Sequence, residues 1–241
     1  LLEREVDKVT ESLQGVQRLA ESLRREPGHR LRIGSTPALA LSLLPPVISE
    51  WTRRYPDIKC ELTSAHSREL VQNLLMRELD VALTFKLPDH PGLKARALAH
   101  GVLVALAPRG YWADESEGVA LALDELADAP LIGLSSADPL FARLDSYLQA
   151  VEPPPRISIA VQTYSLARAM VESGAGLAVI DPFTALGASR ASTVIRPLTP
   201  ALPITLYALT RADEAAAHTL EGLLQLFAER ASEQLQRLAG G

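Results

Sequence analysis

RLRIGSTPALALSLLPPVISEWTRRYPDIKCELTSAHSRELVQNLLMRELDVALTF, residues 30–85, decides the fold. Leu31-Arg32-Ile33 alternates as a strand, and Gly34-Ser35-Thr36 turns it into a helix. Pro45-Pro46 either kinks that helix or opens a second one, because proline fits only the first turn. Val47, Ile48, Trp51 and Tyr55 recur on one helical face, and Tyr55-Pro56 ends the element. Residues 57–64 read as the next strand. Leu70, Leu74, Leu75 and Leu79 then stripe a helix, and residues 80–85 form a short buried strand. Strands separated by helices predict an α/β class with right-handed crossovers and a largely parallel sheet.

Downstream the pattern repeats. Strands are predicted at 94–99, 102–107, 131–134, 156–162, 177–180 and 204–210, with helices at 139–151, 164–173 and 183–186 and a long closing helix at 218–238. The chain thus divides into two similar α/β lobes, one over 30–100 completed by 208–241, the other over 101–207. A ligand cleft is expected between them.

Upstream, residues 1–27 read as a heptad helix. Leu2, Val6, Val9, Leu13, Val16, Ala20 and Leu23 keep a 4-3 spacing, with Glu3, Glu5, Arg24 and Glu26 flanking the seam. Self-association is the expected role, as homodimer or homotetramer; packing on the chain's own domain is the competing one. The sequence opens inside this helix without Met, as the rear part of a longer regulator would.

Composition narrows the classes. The chain has 241 residues and a net charge of −5, so it lacks the basic footprint of a phosphate-gripping domain. Any DNA contact would lie outside these residues. The single cysteine, Cys60, sits in an alternating strand and reads as structural. No run of about 18 apolar residues suggests a membrane span, and no signal peptide is visible, so a cytoplasmic location is expected.

The loops after the strands carry the chemistry, because open α/β sheets bind ligands beyond their carboxyl ends. Those loops are rich in hydroxyls: Ser35-Thr36, Ser64 to Ser67, Thr84, Ser135-Ser136 and Thr163-Tyr164-Ser165. Hydroxyls beside helix N-termini suit a small carboxylate, although each one alone reads equally as an ordinary N-cap. Asp181, in AVIDPF, is an acid at the end of an apolar strand. It can pair with a ligand ammonium or guanidinium, cap the helix that Pro182 opens, or do both. Asp80 reads as a turn or cap residue, and His66 as an exposed loop residue. There is no GxSxG, HExxH, CxxC, GxxxxGK[ST] or GxGxxG, and the five histidines do not group. Neither a catalytic centre, a metal nor a cofactor is expected.

These residues resemble the C-terminal regulatory part of LysR-type transcriptional regulators. The heptad helix is similar to the family's linker helix, and RLRIG…LLPPVISEWTRRYPDIKCEL to its first strand and helix. LMRELDVALTF is similar to its third strand, and AMVESGAGLAVIDPFTAL to its glycine-rich turn in the second lobe. IDPFTA resembles the branch sensing basic amino acids, opines or diaminopimelate. The resemblance implies two Rossmann-like lobes of the type II periplasmic-binding-protein kind, with an effector in the interlobe cleft and a winged helix-turn-helix ahead of the linker. It places the effector on Ser35, Thr36, Ser67, Thr84, Ser135, Thr163 and Asp181. A solute-binding protein of a transporter is the alternative on the same fold.

Overall fold

The computed structural model describes residues 30–113, 116–134, 139–213 and 218–239. The heptad positions Leu2, Val6, Val9, Leu13, Val16 and Leu23, and also Ser135, lie outside the described residues.

β1 (Arg30–Ser35) leads into α1 (Pro37–Ser42) and α2 (Leu44–Arg54). Pro45 and Pro46 therefore start a second helix, occupying its first turn, where no amide hydrogen is needed. α2 buries Leu44, Val47, Ile48 and Trp51 along one face, and the Trp51 and Tyr55 rings stand 4.2 Å apart. β2 (Lys59–Ser64), α3 (Ser67–Leu75), β3 (Val81–Thr84) and β4 (Leu93–Val102) follow. The remaining strands are β5 (Val104–Pro108), β6 (Leu121–Ala122), β7 (Pro130–Leu134), β8 (Arg156–Val161), β9 (Ala178–Ile180), β10 (Thr193–Thr199) and β11 (Pro203–Arg211). Between them come α4 (Pro139–Leu148), α5 (Tyr164–Glu172) and α6 (Pro182–Leu186), and α7 (His218–Ala239) closes the chain.

The strands form a five-stranded sheet ordered β2-β1-β3-β11-β4, a four-stranded one ordered β6-β10-β5-β9, and the pair β7-β8. A bridge from Leu131 to Leu177 joins that pair to the segment entering β9. The chain leaves the first sheet at Leu103 and returns just before β11. There the Leu103 N–H donates to the Leu202 carbonyl at 2.9 Å, clasping the two crossings together.

Two expectations change. The sheets are mixed rather than largely parallel: β2-β1-β3, β7-β8 and β10-β6 are parallel, but β11 runs against β3 and β4, and β5 against β9 and β10. β11 returns from the second sheet and enters the first from the end its neighbours leave by, so it must oppose them. β10 itself was not expected. Pro197 interrupts its apolar pattern, yet it falls opposite Val104, the last residue of the pairing with β5, where a missing donor costs little.

Asp80 does more than cap. It accepts from the Arg32 backbone N–H and from Arg32 Nη2, each at 2.8 Å, locking the start of β3 to β1. Buried Arg211 donates beside it to the carbonyl of Leu74, in the last turn of α3, and to that of Leu79, in the loop that leads to β3. Cys60 is partly buried on β2, and burial pushes its thiol up, in keeping with a structural residue. α7 packs over this sheet, burying Leu220, Leu223, Leu224, Leu226, Phe227 and Ala231.

Candidate functional site

β1, β2 and β3 end side by side, with Ser35 in register with Ser64 and Leu83. A cleft of about 340 Å³ lies beyond these ends, and its opposite wall is formed by Leu134, Gln162, Thr163 and Tyr164, where β7 and β8 end and α5 begins. Strand ends of the five-stranded sheet and of the β7-β8 pair therefore face one space.

The structure brings three of the expected residues, Thr36, Ser67 and Thr163, onto the cleft. Thr163 caps α5, its Oγ1 accepting from the Leu166 N–H at 3.2 Å. Ser67 opens α3 and shares a 2.9 Å hydrogen bond with Thr84 Oγ1, which also accepts from the Lys86 N–H at 3.1 Å. Thr84 thus sits beneath the wall and braces it. Ser35 is fully buried under Thr36, and neither hydroxyl oxygen has a hydrogen-bond partner among the described residues. His66, exposed as expected, holds the N-cap position of α3 without a side-chain cap, so no side chain occupies the amides of that first turn.

Lys86 was not expected on the cleft. It follows Thr84 by two positions, just past the carboxyl end of β3, and the same strand-end rule extended two residues would have found it. It is the only ammonium on the wall, and no carboxylate joins it among the described residues. Phe85, Leu87 and Leu134 make the rest of the surface apolar. The arrangement offers one cation, several hydroxyls and a greasy body, which suits an organic anion. Among the described residues nothing in it pairs a nucleophile with a base. No group of three potential metal ligands occurs among the described residues.

Asp181 lies apart from the lining. It is fully buried at the N-cap of α6, where Oδ1 accepts from the Thr184 N–H at 2.9 Å. Capping is therefore one of its roles. Oδ2 has no partner among the described residues, nor has the Thr184 hydroxyl. Burial pushes its carboxyl up to about 6, against the downward pull of the hydrogen bonds in the turn that follows. α6 packs on α1, and Phe183 stacks on Phe85 of the cleft with ring centroids 5.9 Å apart.

An α/β fold in which strand ends of the five-stranded sheet and of the β7-β8 pair share a cleft forms an effector-binding regulatory domain of the LysR type. Residues 24–232 match the LysR substrate-binding domain, and the chain belongs to that family. It is 29% identical over 224 residues to an HTH-type transcriptional regulator of Pseudoalteromonas, DgcR, covering 93% of this chain and 76% of the relative. The transcriptional activator LysR of Escherichia coli is 27% identical over 225 residues, covering 91% and 72%. A structure of a Corynebacterium glutamicum OxyR C206 mutant superposes with a TM-score of 0.74 at 17% identity, covering 99% of this chain and 76% of that one. The two sequence relatives are transcriptional regulators, and the transporter alternative gains no support from them. No helix among the described residues is long and apolar enough to cross a membrane.

Proposed function

We propose that the cleft between the strand ends binds a small carboxylate effector, with amino-acid-like molecules as the leading class. The observation that carries this reading is the convergence of Lys86, Ser67, Thr36 and the uncapped first turn of α3 on one mostly apolar space. The carboxylate would lie against those donors and the ligand body against Phe85, Leu87 and Tyr164. The two lobes are taken as the five-stranded sheet with its helices, and the two remaining sheets with theirs; the chain re-enters the first lobe at Pro203. Closing them on the ligand would alter how copies of the chain associate through the heptad helix, and hence the placement of N-terminal DNA-binding domains.

A second reading gives the effector a cationic end that reaches Asp181. The unpartnered, buried Oδ2 favours it, since an orphaned acceptor calls for a donor. Isothermal titration tests both. The panel is lysine, arginine, ornithine, diaminopimelate and opines, together with their 2-oxo-acid counterparts. At least one carboxylate should bind, about tenfold or more weaker in Lys86→Ala. Heat-free injections across the panel would overturn the carboxylate reading. Unchanged affinity for cationic members in Asp181→Asn would remove Asp181 from ligand contact.

A further inference from the structure

A second hollow of about 580 Å³ shares no residue with the cleft. It lies where the chain crosses between sheets, walled by Val102 and Val104 on one crossing, Ile195 on β10, Pro182 on α6 and Leu235 on α7. Such a volume with such a lining matches a small-molecule pocket more closely than an ordinary surface groove. Its polar groups are few and mostly engaged. Glu117 is held by Arg109 Nη2 at 3.3 Å, and His100 Nδ1 shares a 3.1 Å hydrogen bond with Thr205 Oγ1. Arg190 differs. Its carbonyl accepts from Arg109, but its guanidinium has no hydrogen bond or ion pair among the described residues. A free guanidinium at the rim of an apolar hollow complements a carboxylate attached to an apolar body.

We propose that this hollow is a second ligand site, which takes an amphipathic monocarboxylate with its acyl or aryl body inside and its head on Arg190. The site bears on the first one through α6. Pro182 of that five-residue helix lines the hollow, and the next residue, Phe183, stacks on Phe85 of the cleft. A ligand that shifts α6 at one end therefore changes affinity at the other, and the effect is reciprocal.

The test is an octanoate titration followed by backbone amide shifts, with 1-octanol as the uncharged probe. Octanoate should move the amides of Gly101, Val104 and Leu235. Arg190→Ala should weaken it about tenfold, as loss of one charge-assisted hydrogen bond implies, without changing the response to 1-octanol. Lys86→Ala, in the cleft, should leave these shifts unchanged, which keeps the outcome separate from the effector reading. Arg190 is exposed and has no side-chain partner among the described residues, so its removal should not disturb folding. Absence of shifts, shifts confined to Thr36, Ser67 and Thr163, or undiminished octanoate affinity in Arg190→Ala would each overturn the proposal.

Discussion

At the scale of single residues, Asp181 is a fully buried acid that also caps a helix. Its folded-state value of about 6 lies above the unfolded value near 3.8, so the protein binds this proton more tightly when folded. Its contribution to stability is fully present below pH ~3.8 and is lost as the pH rises through about 6. Asparagine caps as well as aspartate and carries no charge to bury. Asp181→Asn should therefore match wild type near pH 4 and exceed it by about 3 kcal/mol at pH 7.5, measured by urea denaturation at each pH. A difference that does not vary with pH would contradict the buried-charge explanation. This residue was legible in the sequence as an acid out of place, because an apolar strand followed by Asp-Pro announces both burial and a cap. Its position off the cleft lining was not, since that depends on how α6 packs against α1. Lys86 escaped notice for a related reason: a lysine after a strand looks like any solvated charge until the opposite wall is in place.

At the scale of elements, caps and glycines carry the sharpest consequences. Thr163→Ala removes the acceptor for the Leu166 N–H and should cost about 1 kcal/mol in denaturant stability, while Thr163→Ser should recover most of it. Gly34 and Gly176 look alike in sequence but not in structure. A Cβ on Gly34 would press on the ends of two leucine side chains, Leu79 and Leu70, which can yield. On Gly176, at φ +151°, it would meet the Pro130 carbonyl oxygen at 2.6 Å, and that oxygen is fixed by the strand. Gly176→Ala should thus destabilise by more than the roughly 1–3 kcal/mol of overpacking expected for Gly34→Ala, as ranked by thermal melting. Most elements were readable from periodicity: α2 buries Val47, Ile48 and Trp51 as spaced, whereas α3 buries Leu70 and Leu74 but ends at the exposed Leu75 and leaves Leu79 beyond it. β10 was hidden by Pro197, and the antiparallel course of β11 by the long-range return of the chain, which no local pattern encodes.

At the scale of the whole molecule, the α/β class follows from element order, and family membership agrees with it. Oligomerisation is the part that rests on sequence alone, through Leu2, Val6, Val9, Leu13, Val16 and Leu23. Deleting residues 1–26 should halve the assembly mass in light scattering; an unchanged number of chains per particle would move the interface onto the regulatory domain. The central claim, a carboxylate held between the strand ends, is tested most directly by a crystal structure with the tightest ligand of the titration panel. Ligand density between Thr36, Ser67 and Thr163, with a carboxylate oxygen about 2.8 Å from Lys86 Nζ, is the expected result. An empty cleft with the ligand bound elsewhere would contradict it.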